Sequence, residues 1–244
     1  MNTENIKKKI VGVLGGMGPE STAIFYHAVI KQCQKQYGAQ YDEDYPEIFI
    51  YNLPIPNIVE GLNKPDETLD MLIKGTKKIE SIGVDFIVMP CNTAHYFYSS
   101  MAKSISVPFI CIFHATAKKI KISGFKKVGF LATETTIKYK SFHNDFEKNG
   151  IELIVPVQTD QDKLTQIILN ILAGKKLDED KEQMKRIIEK MKQNGAEAVV
   201  LACTDLPILL KQDDVDIPVF DTVEILAEAT VQYAIGKIGN EILE

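Results

Sequence analysis

The sequence contains no tryptophan and a single arginine, Arg186, among its 28 basic residues. Arginine is the side chain that most readily holds a carboxylate through two parallel hydrogen bonds, so its scarcity bears on any carboxylate site. The sequence also lacks an apolar run of the roughly 18 residues that a transmembrane helix needs. Residues 1–9 are polar and basic and precede a strand-like segment, unlike a secretory signal. We therefore expect a cytoplasmic protein without a membrane partner.

The four cysteines include no Cys-x-x-Cys pair and no metal-ligand pattern, which argues against a disulfide framework, a metal site and a redox centre. The net charge of −5 argues against a nucleic-acid partner. Neither of the common glycine-rich nucleotide-binding motifs is present. Apolar residues make up 45% and charged residues 25% of the chain, as in an ordinary globular protein.

Two of the cysteines lie in matching segments, residues 83–93 and 195–205. Each segment has a glycine, a nearby acidic residue, a short apolar run, a cysteine and then a threonine. The apolar run predicts a buried parallel strand, so Cys91 and Cys203 should lie just past strand ends. Ligands bind at that edge of an open α/β sheet, and a helix beginning there favours a thiolate. The pattern predicts two thiols that exchange protons on opposite faces of one carbon.

A free cysteine is often simply a small buried apolar residue. That interpretation fits Cys33, in the middle of a helical pattern, and Cys111, in an apolar strand extension. It fits the matched pair less well, because each of those cysteines leads directly into polar residues. We therefore assign function to the matched pair.

The matched segments belong to a longer internal repeat. Residues 9–14 resemble 127–131, and 107–110 resemble 217–220. Helical patterns fall at about 20–36, 65–82, 93–104, 114–123, 136–149, 160–174, 179–194, 205–211 and 222–237. Strands that alternate with helices indicate parallel sheets. We predict an α/β fold of two similar domains with parallel sheets flanked by helices, a pseudo-twofold duplication with the active site in the interdomain cleft.

The repeat also predicts where the domains divide. The amino-terminal domain spans residues 1–113 and the carboxyl-terminal domain spans residues 114–222. The last helical segment, 223–244, has no counterpart in the other half, so we expect it to pack back onto the first domain.

Four further features each have a functional and a structural interpretation. The glycine-rich loop at 12–19 could hold an anion at a helix start or could be a tight turn. His95 could orient Cys91 or could cap its own helix. Thr133 and Thr136 could bind a carboxylate or could cap a helix, and Lys163 could bind substrate or be surface charge.

This set of motifs resembles the aspartate/glutamate racemase family, the cofactor-independent amino-acid racemases, and aspartate racemases most of all. The resemblance extends over nearly the whole chain and rests on Gly15-Gly16-Met17-Gly18-Pro19, Met89-Pro90-Cys91-Asn92-Thr93-Ala94-His95, Leu131-Ala132-Thr133 with Thr136, and Cys203-Thr204. It implies a homodimer, an amino-acid substrate, no cofactor and no metal. It also implies that Cys91 and Cys203 are the two acid–base residues.

The candidate substrate-binding residues are Met17, Gly18, Asn52, Asn92, Thr93, Thr133, Thr136, Lys163 and Thr204. Three positions depart from the family pattern. Ile58 and Leu62 stand where family members carry an arginine or a glutamine for the distal carboxylate, and Asp205 replaces the common glutamate. Lys163 aligns with a lysine that binds substrate carboxylate, so we expect aspartate first and glutamate second.

Other activities remain open at this point. Maleate isomerase and hydantoin racemase resemble the same architecture and also use two cysteines, whereas arylmalonate decarboxylases need one. A non-catalytic small-molecule binding protein could have the same two-lobed shape, but it would leave the matched cysteines unexplained.

Overall fold

The structure, a computed structural model, describes residues 7–239. In this range eight strands form two four-stranded sheets. The first sheet contains β1 (Val11–Gly15), β2 (Ile48–Asn52), β3 (Phe86–Val88) and β4 (Phe109–Ile110), and the second contains β5 (Lys127–Ala132), β6 (Glu152–Ile154), β7 (Ala198–Ala202) and β8 (Val219–Asp221).

The two sheets have the same topology. The strand orders are β2-β1-β3-β4 and β6-β5-β7-β8, and every neighbouring pair is parallel. Val13 of β1 pairs with Ile50 and Val88, and Gly129 occupies the corresponding central strand of the other sheet. The central strands are buried along their length, as expected for parallel sheets covered on both faces. The predicted duplicated α/β fold is confirmed.

The helices alternate with these strands. They are α1 (Pro19–Tyr37), α2 (Pro65–Glu80), α3 (Tyr98–Ala102), α4 (Ile112–Ile122), α5 (Glu134–Tyr139), α6 (His143–Lys148), α7 (Gln158–Leu172), α8 (Asp178–Gln193) and α9 (Thr222–Ala234). Pro19 and Pro65 each open a helix, where the absent N–H leaves no donor unpaired. Gly38 ends α1 with φ of 75°, a conformation that glycine adopts without steric cost.

Three predicted helices are shorter or broken. Residues 136–149 form α5 and α6 rather than one helix, because Lys140 adopts φ of 49° and Phe142 turns into the core against Phe130. Residues 93–104 begin as a 3-10 helix, Thr93–Phe97, before α3. The segment 205–211 contains a single 3-10 turn, Leu206–Ile208.

The last helix, α9, packs against α1 and α4. The Ala234 carbonyl accepts a 2.9 Å hydrogen bond from the Lys9 N–H, beside the first strand. Glu228 pairs with Lys119 of α4 at 2.7 Å, and its carbonyl accepts a bond from Gln36 of α1. The contacts with Lys9 and Gln36 are of the kind expected if residues 223–239 belong to the first domain, whereas Lys119 lies within the predicted second domain. The division at residue 113 falls in the first turn of α4. The domain boundaries stay a prediction, and residues 240–244 lie outside the described range.

None of the helices within residues 7–239 is long and apolar enough to cross a membrane. The predicted homodimer and the predicted cytoplasmic location stay predictions.

Candidate active site

The carboxyl ends of the central strands face one cavity of about 180 Å³ between the two halves. The first half contributes Gly16–Pro19 after β1 and Cys91–Thr93 after β3. The second half contributes Thr133 after β5 and Cys203–Asp205 after β7. Equivalent strands of the duplicated fold therefore supply equivalent parts of the cavity. Eight predicted site residues line it: Met17, Gly18, Cys91, Asn92, Thr93, Thr133, Cys203 and Thr204.

Three predicted site residues do not line this cavity. Asn52 ends β2 and is exposed. Thr136 is buried but lies behind Thr133, to which it is hydrogen-bonded. The Lys163 side chain is 53% exposed, and its Nζ lies 3.8 Å from Asp160 Oδ1. In the described geometry Lys163 is therefore a surface ion-pair residue.

Both matched thiols are buried in the cavity and stay protonated at neutral pH. Burial raises the pKa of Cys91 to about 12, although the backbone N–H groups of Ala94 and Thr93 act in the opposite direction. Burial and the nearby Asp205 carboxylate raise the pKa of Cys203 well above its ordinary value. The sequence led us to expect helix starts that favour a thiolate. The backbone N–H groups do favour it, but desolvation outweighs them because the segments after the cysteines are short 3-10 turns.

Asp205 is the buried carboxylate of the cavity. The Cys203 thiol donates a hydrogen bond to Asp205 Oδ2, with Sγ and Oδ2 3.7 Å apart, and the Ser21 hydroxyl donates to Oδ1. Burial raises the pKa of Asp205, whereas these two donors lower it. Asp205 also raises the pKa of Cys91 through its charge. Asp205 therefore acts electrostatically on both thiols and is positioned to accept the proton of Cys203.

Asn92 presents an unpaired acceptor. Its Nδ2 donates to Thr222 Oγ1 at 3.0 Å, and that hydroxyl in turn donates to the Leu201 carbonyl at 2.9 Å. Since the single proton of Thr222 is already used, the Asn92 amide must face it with Nδ2 rather than Oδ1. Asn92 Oδ1 is left buried without a partner, in a side chain that is 1% exposed and lines the cavity. Such an acceptor suits a donor on a bound molecule.

Three threonine hydroxyls meet where the two halves face each other. Thr93 Oγ1 of the first half lies 2.9 Å from Thr133 Oγ1, which lies 2.9 Å from Thr136 Oγ1. Thr133 also caps α5, because its hydroxyl accepts a 3.1 Å bond from the Thr136 N–H. Both sequence interpretations of Thr133 are thus compatible: it caps a helix and lines the cavity. Hydroxyls that bond mainly to one another can turn their protons towards an anion.

His95 is a structural residue in this geometry. The Ile112 N–H donates to His95 Nε2 at 3.1 Å, so Nε2 accepts and the ring proton is on Nδ1. Nδ1 donates to the Cys91 carbonyl oxygen at 2.6 Å, rather than contacting the thiol. Burial lowers the pKa of His95 to about 4, so the ring is neutral at pH 7. Of the two interpretations of His95, the structure favours packing and capping.

Most of the apolar lining was not predicted from the sequence, where Ile58 alone of these residues was singled out, at a family carboxylate-binding position. Residues 55–59, after β2, and Leu172, at the end of α7, complete the cavity. The position of residues 55–59 past a strand's carboxyl end is a signal that could have been used. The buried partner of Asp205, Ser21, has no such signal, because it lies 184 positions away.

Among the described residues, no group of three His, Cys, Asp or Glu side chains is arranged to hold a metal ion. The polar groups of the lining, namely thiols, hydroxyls, two amides and one carboxylate, are instead suited to hydrogen bonding and proton transfer.

Comparison with known proteins places this geometry in a family. Residues 14–230 match the family model of Asp/Glu/Hydantoin racemase. The broad specificity amino-acid racemase RacX of Bacillus subtilis (strain 168) is 36% identical over 222 residues, which cover 91% of this chain and 96% of RacX.

Solved structures agree with that match. The aspartate racemase of Picrophilus torridus is 31% identical, with a TM-score of 0.78, over 96% of this chain and 97% of that one. An aspartate racemase homologue from Pyrococcus horikoshii OT3 is 32% identical, with a TM-score of 0.77, over 93% and 99%. With its fold, its paired cysteine segments and these matches, the chain belongs to the Asp/Glu/Hydantoin racemase family of isomerases.

Proposed function

We propose that this protein racemises an amino acid without a cofactor, with Cys91 and Cys203 as the two acid–base residues. The observation that carries the proposal is that the two halves each contribute one buried thiol to the same cavity. One thiolate removes the α-proton, and the opposite thiol delivers a proton to the other face of Cα. After one turnover the first cysteine is a thiol and the second is a thiolate, so the pair holds the same number of protons with the two states exchanged. The roles reverse for the other enantiomer.

The backbone of the amino acid has matching partners in the cavity. Its α-ammonium is a donor that suits the unpaired Asn92 Oδ1. Its α-carboxylate suits the hydroxyls of Thr93 and Thr133, with Thr136 supporting them from behind. Hydrogen bonds to that carboxylate stabilise the charge that develops on it when the α-proton leaves.

The first thiolate is formed inside the cavity. Cys203 already donates a hydrogen bond to Asp205, so we assign Asp205 as a positioning residue that accepts the Cys203 proton. The α-ammonium brings a positive charge into a cavity whose described ionisable lining groups are all acidic, and a nearby positive charge favours a thiolate. Burial thus keeps both thiols protonated, and the α-ammonium of the substrate supplies part of the activation.

The reacting groups must also be held in position, because the α-proton of an amino acid is only very weakly acidic. Fixing the reacting groups in position can contribute about 7–11 kcal/mol in favourable systems. Here the cysteines follow buried strands of two separate sheets, which are rigid supports for such positions.

The resemblance to aspartate racemases and the name of RacX guide which amino acids are tested first. The resemblance predicts aspartate first and glutamate second, whereas RacX is named for broad specificity.

The test is racemisation of single amino acids in deuterated water by the purified protein with no added cofactor. We expect loss of optical activity together with deuterium at Cα. We expect both to fall at least about 10³-fold in Cys91→Ser and in Cys203→Ser, since each removes one of the two acid–base groups. Wild-type activity that survives either substitution would contradict the proposal. If no amino acid reacts, hydantoins and maleate are tested next. Turnover of either would replace the proposal of amino-acid racemisation.

A further inference from the structure

The apolar part of the cavity wall is anchored to both halves of the molecule. Ile58 is 7% exposed and packs in the apolar core of the first half. Val59 packs against the core of the second half, and its carbonyl accepts a 3.1 Å hydrogen bond from the Thr135 hydroxyl. Leu172, at the end of α7, also lines the cavity, with its Cδ2 beside Gly18. This wall is therefore a fixed apolar surface.

The polar side chain within this wall, Asn57, already forms two hydrogen bonds with its neighbours. Asn57 Oδ1 accepts a 3.0 Å bond from the Val59 N–H, and Asn57 Nδ2 donates to Glu60 at 3.0 Å. One Nδ2 hydrogen is left, so Asn57 can offer a ligand carboxylate a single neutral donor but no balancing charge.

None of the residues that line the cavity in the described range carries a positive charge. Among the described lining residues the ionisable groups are Cys91, Cys203 and Asp205, which are all acidic. Of the three lysines of α7 and the segment after it, Lys163 lies 3.8 Å from Asp160 and Lys176 lies 2.6 Å from Glu20. None of the three, Lys175 included, lines the cavity. A second carboxylate on the substrate would lose its hydration without gaining a partner, and it would also face the Asp205 carboxylate.

We propose that the side-chain subsite, formed by Ile55, Pro56, Ile58, Val59 and Leu172, accepts uncharged amino-acid side chains, aliphatic ones first, and disfavours aspartate and glutamate. The proposal rests on the proposed function, because it concerns the substrate of the same racemisation. It differs from the aspartate preference that the sequence predicts, which relied on the overall motif pattern and on Lys163.

Three amino acids with the same side-chain skeleton provide the test. Leucine, asparagine and aspartate each carry two groups on Cγ, but they differ in polarity and charge. Deuterium entry at Cα is measured for each with the wild-type protein. We expect kcat/KM to fall in the order leucine, asparagine, aspartate, with leucine at least about 100-fold above aspartate, because an apolar wall leaves a buried carboxylate unpaired.

A positive charge introduced into the wall should narrow the difference between leucine and aspartate. Leu172 is 43% exposed, so Leu172→Arg can be tolerated, and Leu172→Met is the matched uncharged control. We expect Leu172→Arg to raise the aspartate-to-leucine ratio of kcat/KM at least tenfold, since the guanidinium can pair with the side-chain carboxylate. We expect Leu172→Met to leave this ratio near the wild-type value. Ile58→Arg, with Ile58→Met as its control, tests the same point at a second position of the wall.

The outcomes separate the two proposals. Aspartate turnover equal to or faster than leucine turnover by the wild-type protein would overturn the side-chain inference and leave the racemase proposal standing. Absence of exchange with every amino acid would overturn the racemase proposal, and this inference with it. Leucine turnover well above aspartate turnover would support both.

Discussion

Two residues close to the cysteines have different roles that their sequence positions do not distinguish. His95 follows Cys91 by four positions and Asp205 follows Cys203 by two. The histidine uses both ring nitrogens on backbone groups, whereas the carboxylate contacts the thiol itself. The cysteine motifs were sufficient to predict the two thiols, but the roles of their neighbours depend on contacts with Ile112 and Ser21, which the sequence does not specify.

At the residue scale, His95→Gln tests the structural role. The substitution removes the bond to the Cys91 carbonyl, and we expect a cost of about 1–3 kcal/mol in the free energy of unfolding at pH 7. The pKa of His95 is about 4 in the folded protein, against about 6.5 in an unfolded chain. As the pH falls, His95 therefore takes up its second ring proton at a higher pH in the unfolded wild-type chain than in the folded protein. The free energy of unfolding of the wild type falls by about 3 kcal/mol relative to that of the variant between pH 6.5 and pH 4.

Urea denaturation of both proteins at pH 7, 5.5 and 4.5 measures this difference. Comparison with the variant cancels the contribution of buried carboxylates such as Asp221, whose pKa of about 6 acts in the opposite direction. A stability gap that does not narrow on acidification would contradict a neutral, buried His95.

A second substitution at this scale, Asp205→Asn, separates the charge of Asp205 from its ability to accept a proton. The amide no longer repels a thiolate, so we expect alkylation of Cys203 to begin at lower pH than in the wild type. Racemisation should nevertheless fall about 100-fold, because the acceptor for the Cys203 proton is lost. Peptide mapping of iodoacetamide adducts against pH, with turnover measured in parallel, provides both readouts.

Asp205→Glu is the control, since it keeps the carboxylate, and we expect it to retain most of the activity. A purely structural Asp205 would instead lower turnover without moving the pH dependence of alkylation.

At the scale of the elements, the duplicated fold offers a matched pair of glycines. Gly12 in β1 and Gly129 in β5 occupy corresponding central strands. A Cβ at Gly12 would lie 2.3 Å from Cγ2 of Ile79, a β-branched side chain of α2 with little freedom to move. A Cβ at Gly129 would lie 2.8 Å from Sδ of Met191, a flexible side chain.

We therefore predict that Gly12→Ala lowers the free energy of unfolding by about 1–3 kcal/mol and that Gly129→Ala lowers it by less. Equilibrium urea denaturation of the two variants measures the ranking. Equal costs, or a larger cost for Gly129→Ala, would show that the neighbouring side chains do not control how closely these helices pack on the strands.

The presence of strands and helices could be predicted from the sequence far better than the points at which a helix breaks. The alternation of apolar strands and helical periodicity specified both sheets, because strands buried on both faces are continuous apolar runs. The break between α5 and α6 could not be predicted, since neither glycine nor proline occurs there and Lys140 takes a positive φ without a local signal. The break is instead compatible with tertiary packing of Phe142 on Phe130 and Phe113.

For the whole molecule, the buried thiols predict a loss of stability at alkaline pH. Burial raises the pKa of all four cysteines above the ordinary value of about 8.5. Above pH 8.5 the unfolded chain releases these protons while the folded protein keeps them. Each thiol with such a pKa therefore removes about 1.4 kcal/mol of stability per pH unit until its folded pKa is reached.

Cys111→Ala tests this effect without altering the candidate site, because Cys111 does not line that cavity. The pKa of Cys111 is about 12, so this thiol contributes to the loss of stability between pH 9 and pH 11. The free energy of unfolding of Cys111→Ala should therefore fall less steeply than that of the wild type, with the two slopes differing by about 1.4 kcal/mol per pH unit. Denaturation curves at several pH values give both slopes, and identical slopes would contradict the burial of this thiol.

The central claim concerns both halves at once: each supplies one acid–base thiol to a shared cavity. The measurement that tests it most directly is an early time course in deuterated water, starting from one enantiomer of a turned-over amino acid and separating the two enantiomers before mass analysis. Two opposed bases predict that the product enantiomer carries deuterium at Cα while the remaining substrate is still protonated. Deuterium that appears equally in both enantiomers from the start would indicate a single base that serves both faces, and it would contradict this account.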